Sequence, residues 1–300
     1  MIYFAKQLNT VKNKYSDLID QTFQFPTEEF DITTSGELQY RDIPMMDLIH
    51  KFGSPLRFSY LPKISENIQK VKTWFSDAFS KHNYAGKYHY CYCTKSSHFK
   101  YVLDEALKND VHIETSSAFD LDIIKSLHAS GKLDKQRFII CNGYKTEAYV
   151  KNILELIELG FENVHIILDS TEEIDQFTSR TVKNINVGIR IASEEEPKFE
   201  FWTSRLGIGY TFIVPFYEEK IKPLPNVKLT MLHFFINTGI ADTSYYWNEL
   251  NKCLNVYTAL AACTTHLKHL NIGGGFPIKR NLSLTYDYAY MVDEIVQQVQ

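Results

Sequence analysis

Leu267-Lys268-His269-Leu270-Asn271-Ile272-Gly273-Gly274-Gly275 is the stretch on which the reading of this chain turns. A strand-like run ends in three consecutive glycines. Glycine lacks a Cβ, so successive backbone N–H groups can converge on a bound anion where a strand gives way to a helix. Phosphate is the ligand to expect there. Taken alone, three glycines are equally a tight turn or a close-packing point, so the weight of the motif comes from its place in the order of strands.

Working outward, strand-like runs appear at Tyr88–Thr94, Val111–Thr115, Arg137–Cys141, Val164–Leu168, Ile185–Ile191, Lys228–Phe235 and Leu267–Ile272. Between most of them apolar residues recur at helical spacing, as in Phe99–Leu107, Ala118–His128, Glu147–Leu159 and Tyr245–Thr265, with a terminal amphipathic run at Tyr286–Val299. Strict alternation of this kind implies a parallel sheet of βαβ units, and strands apolar on both faces imply a sheet covered by helices. A doubly wound open sheet and a (β/α)8 TIM barrel both accommodate the pattern. Seven units exceed the usual five or six of the open sheet, which favours the barrel, one unit short of eight. The triglycine then follows the seventh strand, where phosphate sites commonly form in barrels.

Residues 1–60 depart from the alternation and are expected to form an extension packed on the barrel, which occupies 61–300. The extension holds the strand-like Leu38–Arg41, a helix led by Pro44 to His50, and the extended Pro55–Tyr60. A second departure, Ala192–Val227, carries Glu194–Glu196, an aromatic patch at Phe199, Phe201 and Trp202, and Ser204-Arg205-Leu206-Gly207. Loops this long in compact domains are often functional. The composition narrows the class of function. A chain of 300 residues with 44% hydrophobic content can bury a large core, and its net charge of -4 supplies no field for nucleic acid. Five cysteines without a C-x-x-C pair argue for a reducing compartment, and no run approaches the roughly 20 apolar residues of a membrane span. The expectation is a cytoplasmic protein with neither nucleic acid nor membrane as partner.

Lys95 stands at the C-terminal end of the first strand, after His89-Tyr90-Cys91-Tyr92-Cys93-Thr94, and by alternation shares a face with Cys91 and Cys93. Desolvation at such a place lowers an amine's pKa enough to make it a nucleophile. An amine on one strand end and a phosphate cradle on another suggest a phosphorylated aldehyde held as a Schiff base, and pyridoxal phosphate is the candidate. Metal readings are weaker. Cys91 and Cys93 lack a second pair at ligand spacing and read as small buried cysteines, and His266 and His269 have no acidic partner nearby in sequence.

Tyr90–Lys95, Ile140-Cys141-Asn142-Gly143-Tyr144-Lys145, Ser204–Gly207 and Leu270–Pro277 together resemble the alanine-racemase-like PLP-dependent decarboxylases of ornithine, diaminopimelate and arginine. Cys141–Lys145 is most similar to the biosynthetic arginine branch. The resemblance runs over about 38–300 and implies that Lys95 bonds the cofactor, that Glu114 and Arg190 line its pocket, and that Gly273, Gly274 and Gly275 bind its phosphate. Asn271 stands where the family often has aspartate. Phe235 falls where the family stacks a histidine on the ring, and Thr238 replaces the serine that follows; sliding the alignment by two places His233 there instead. Phenylalanine can stack but cannot transfer protons. The implied activity is decarboxylation of a basic amino acid, arginine by preference, in a homodimer; the alternatives are ornithine or diaminopimelate as substrate, or a catalytically silent homologue. The resemblance also implies an eighth strand and a β-domain, with the ring-nitrogen glutamate and the residues for the substrate's distal cation, beyond Gln300.

Overall fold

The computed structural model describes residues 29–193, 206–236, 243–278 and 286–300. Two compact units divide the chain, with boundaries at Tyr60/Leu61, Phe276/Pro277 and Asp287/Tyr288. The smaller unit is a three-stranded antiparallel sheet, β1 (Phe30–Ile32), β2 (Leu38–Tyr40) and β3 (Ile43–Pro44), followed by α1 (Met45–Phe52). Its strands are too short to bury a face by themselves, and aromatic edges hold it: the Tyr40 ring lies 5.0, 5.4 and 5.5 Å from those of Phe30, Phe58 and Tyr60. β1 was not legible as a strand, and α1 runs past His50 to Phe52.

The larger unit opens with α2 (Pro62–Lys81) and then alternates: β4 (Cys91–Cys93), α3 (Lys100–Leu107), β5 (His112–Thr115), α4 (Ala118–Ala129), β6 (Ile139–Cys141), α5 (Glu147–Glu158), β7 (Val164–Leu168), α6 (Glu173–Thr178), β8 (Ile185–Arg190), α7 (Tyr210–Phe216), β9 (Val227–His233), α8 (Thr243–Cys263), β10 (His269–Asn271) and α9 (Tyr288–Val299). The seven strands β4 to β10 form one parallel sheet in chain order, with β4 and β10 at its edges. Five strand spacings separate β10 from β5, about 24 Å in a flat sheet. Yet Asn271 Nδ2 on β10 lies 3.3 Å from Glu114 Oε2 on β5. The sheet is therefore curled, and its concave face is an interior filled by side chains, as in a (β/α) barrel.

Alternation along the strands sorts that interior into levels. His89, His112, Phe138, His165 and His269 meet at the level where the strands enter, with Phe138 4.8, 4.5, 5.0 and 5.2 Å from the four imidazoles. Two residues further along, Cys91, Ile140, Ile167 and Met231 pack together. Two further again come Cys93, Asn142, Asp169 and His233, the level of the site. Outside, Ile68 of α2 packs with Ala106 of α3 and Val111, which precedes β5, against Tyr90 and Tyr92 at β4. α2 and α9 pack through Phe75, Ala78, Val292 and Val296 against Tyr88, which leads into β4, and Ile272, which follows β10.

Most of the strands are shorter than their apolar runs, since ladder pairing rather than hydrophobicity sets their length: β4 pairs only at Cys91–Cys93 and β9 ends at His233. Three helices escaped the sequence reading. In α2 few positions are fully buried, α6 is too short for a period to register, and α7 lies in what read as an irregular excursion. Pro215 inside α7 has no N–H to donate, and the helix loosens into a π turn over Tyr217–Ile221.

Candidate active site

The C-terminal strand ends bring five of the predicted residues onto one connected surface. Glu114, on β5, accepts at Oε1 from Asn142 Nδ2 (3.1 Å) and at Oε2 from Asn271 Nδ2 (3.3 Å), and the Cys93 thiol lies 4.0 Å from Oε1. Each carboxamide is held by its own loop: Asn142 Oδ1 accepts from Gly143 N (2.8 Å) and Asn271 Oδ1 from Gly273 N (2.8 Å). Glu114 thus links the end of β4, which leads into Lys95, with the glycine turn after β10.

His233 sits beneath this surface, buried. Its Nε2 faces Asn142 Nδ2 at 3.1 Å, and its Nδ1 faces the Asn271 carbonyl at 3.3 Å. The carbonyl only accepts and the carboxamide nitrogen only donates, so the ring is the neutral Nδ1–H tautomer. Burial pushes its pKa down, in the same sense. Both ring nitrogens are engaged by protein groups. Phe235 is the half-buried aromatic of this segment, with the Arg190 guanidinium 5.6 Å from its ring centre. Arg190 also pairs with Asp169 at 3.7 Å. Gly207 N donates to the Asp169 carbonyl (3.0 Å) and Ile208 N to that of Arg190 (2.8 Å), so the returning chain is tied to these strand ends.

Lys95 departs from expectation. β4 ends at Cys93, and Lys95 stands in the following turn, exposed, so burial does not desolvate its amine. Cys93 carries the record of its neighbourhood: burial and Glu114 push its thiol pKa up, while the amide and charge of Lys95 pull it down. Cys91 and Cys93 are half-buried rather than buried, since β4 is an edge strand of the sheet.

The buried lysine is a different one. Lys145 Nζ donates to the carbonyls of Gly143 and Ile167, both at 2.5 Å, and lies 3.7 Å from Glu173 Oε2. The Glu173 carboxylate also accepts the amides of Lys145 (3.0 Å) and Asp169 (2.8 Å). Burial lowers the Lys145 pKa and raises that of Glu173. This ion pair clamps the loops after β6 and β7, and nothing in the local sequence around Lys145 announces it.

At the glycine turn Gly273 has φ 67°, and a Cβ there would come within 2.8 Å of the Phe234 carbonyl, so the position requires glycine. A Cβ on Gly274 would meet nothing within 4 Å. Gly273 N–H is committed to Asn271, whereas Gly274 and Gly275 are exposed. Thr238, Ser204, Arg205, Phe199, Phe201, Trp202 and Glu194–Glu196 lie outside the described residues. Among the described residues no group of three or more His, Cys, Asp or Glu side chains could hold a metal ion. No helix among them is long and apolar enough to cross a membrane.

Comparison with known proteins identifies the family. Residues 66–300 match the family described as pyridoxal-dependent decarboxylase, pyridoxal binding domain. The chain belongs to that family. The biosynthetic arginine decarboxylase of Nostoc sp. is 24% identical over 253 residues, 79% of this chain and 36% of the relative. The crystal structure of biosynthetic arginine decarboxylase from Campylobacter jejuni superposes with a TM-score of 0.69 at 20% identity, covering 92% of this chain and 48% of the other. That of diaminopimelate decarboxylase from M. jannaschii, in complex with L-lysine, gives 0.72 at 17% identity, covering 91% and 62%. The matched stretch is thus under two thirds of each relative's length.

The group implied by the family is pyridoxal phosphate. The residues present fit it: an open glycine turn at Gly274 and Gly275 for a phosphate, an exposed primary amine at Lys95, and a half-buried aromatic ring at Phe235 beside Arg190.

Proposed function

We propose that this protein decarboxylates a basic amino acid, arginine by preference, releasing carbon dioxide and agmatine. The observation that carries the reading is the Glu114 bridge, which ties the β4 end leading to Lys95 to the Gly273 turn through Asn271. In this reading Lys95 supplies the amine that holds the cofactor's aldehyde carbon, and the N–H groups of Gly274 and Gly275 hold its phosphate. Phe235 offers a face for the ring and keeps water from it, and Arg190, braced by Asp169, sets the position of that face. Glu114 accepts from the carboxamides of Asn142 and Asn271 and so holds their two loops together. The bound cofactor supplies an electron sink for the electrons left by carbon dioxide.

Arginine is preferred because Cys141–Lys145 resembles the arginine branch and because the Nostoc relative is an arginine decarboxylase. Carbon dioxide release measured in parallel from arginine, ornithine, lysine and diaminopimelate tests the choice, and release only from another substrate refutes it. The reading carries with it the homodimer that the resemblance implies, which sedimentation of the purified protein tests. Phe235 favours one second reading, a silent homologue that keeps the cofactor as ligand, because a phenyl ring cannot move a proton. A yellow protein that releases no carbon dioxide from any of the four amino acids would establish it.

A further inference from the structure

The cofactor site has a feature set by the pairing of Glu114 with Asn271. Both carboxamides that touch Glu114 have their oxygens committed to loop amides, Asn142 Oδ1 to Gly143 N and Asn271 Oδ1 to Gly273 N, each at 2.8 Å. Their nitrogens must therefore face the carboxylate. The Cys93 thiol adds a third, weaker donor. A proton on Glu114 would find no acceptor among these partners, so the arrangement is built for one negative charge and no proton.

Resting on the proposed cofactor site, we propose that Asn271 is a positioning residue: it keeps this surface at a single negative charge while fixing Gly273, which leaves the N–H groups of Gly274 and Gly275 turned to the phosphate. An aspartate at 271 would keep the acceptor for Gly273 N–H but replace the donor facing Glu114 by a second oxygen. Two carboxylates that close cannot both ionise, and one of them takes up a proton near neutral pH. Around the pair stand Cys91, Cys93 and Lys95 from the β4 end, Asp120 on α4, Asn142 after β6, Asp169 after β7, Arg190 on β8 and His233 on β9. His233 is already neutral and accepts from Asn142, so it offers no relief to a second anion.

The test is the variant Asn271→Asp beside the reciprocal swap Glu114→Gln/Asn271→Asp. The swap keeps one carboxylate and one carboxamide in contact but exchanges their places. Binding of pyridoxal phosphate, followed by absorbance from pH 6 to pH 8.5, is one readout; the thermal midpoint of the cofactor-free protein over the same range, relative to wild type, is the other. For Asn271→Asp we expect about tenfold weaker binding at pH 8.5, the effect of roughly one pKa unit of coupling, with recovery toward pH 6. The thermal deficit should shrink in the same direction. The swap should bind with a flat profile like that of wild type. A single variant that tracks wild type at every pH, or a swap that stays as defective as the single variant, overturns the proposal. Wild-type protein that takes up no pyridoxal phosphate overturns the functional reading instead, and the thermal comparison then decides the role of Asn271 by itself.

Discussion

Acidification should unfold this protein from the pole opposite its site, and His165 is where the effect can be sized. The ring is 3% exposed. Its Nδ1 lies 2.9 Å from Thr230 Oγ1, whose hydroxyl donates to the Val187 carbonyl, so Nδ1 carries the proton and Nε2 is left without a hydrogen-bond partner. Burial, and then the neighbouring His269, His112 and His89, push its pKa down to about 3. His112 is pushed down to about 4 by burial and His89, and its Nδ1 accepts from Phe138 N, which holds it neutral. A histidine depressed in the folded state gives stability that is fully present above its unfolded value of 6.5 and is lost as pH falls below it, toward the folded value. At pH 5 the unfolded chain is favoured by about 30-fold at His165 alone, about 2 kcal/mol by linkage. His112, His89 and His269 act with the same sign. A cleft of about 830 Å³, bordered by Lys72, Lys87, Tyr88, His89, His112 and Arg137, gives water access to this end.

The comparison to make is urea unfolding at pH 8 and pH 5 for the wild type and for His165→Asn. Asparagine retains a donor for Thr230 but cannot titrate. The variant should be less stable at pH 8, because it leaves a void beside Phe138, yet it should lose about 2 kcal/mol less than the wild type between the two pH values. Equal losses in the two proteins would refute the reasoning, since burial of a neutral imidazole would then contribute nothing to the pH dependence.

Three further outcomes follow from the site. Lys95→Ala should abolish the borohydride-trapped mass adduct on the peptide that carries residue 95 and reduce turnover by about a thousandfold or more; near-normal turnover would remove Lys95 from the chemistry. Gly274→Val should leave the thermal midpoint of the cofactor-free protein almost unchanged, given the open space at its Cβ, while weakening pyridoxal phosphate binding at least about tenfold through crowding of the phosphate; unchanged affinity would return the turn to a purely structural role. Lys145→Met should cost about 3–5 kcal/mol in urea unfolding because it leaves the buried Glu173 carboxylate without its cation; a loss under about 1 kcal/mol would show the pair to be dispensable.

The strands, the parallel order and the glycine turn were legible because their signals are local: an apolar run, a helical period, three residues without a Cβ. The Glu114 bridge was not, because its partners lie at 142 and 271 and meet only when the sheet curls. The desolvation expected at Lys95 was misjudged for a related reason, since the hydrophobic run suggests a strand through Thr94 but the ladder with β5 stops at Cys93. One signal could have found the rest. His89, His112 and His165 are each the second residue of their strand-like runs, and His269 is the third of its own. Four histidines at one level of a parallel sheet share a face, and alternation then fixes what stands four residues along or two: Cys93 from His89, Glu114 from His112, Asp169 from His165, Asn271 from His269. The phase that places the histidine layer at the entry of the strands thus places the members of the site at their exit, and both ends of the interior follow from a single choice of which residues point inward.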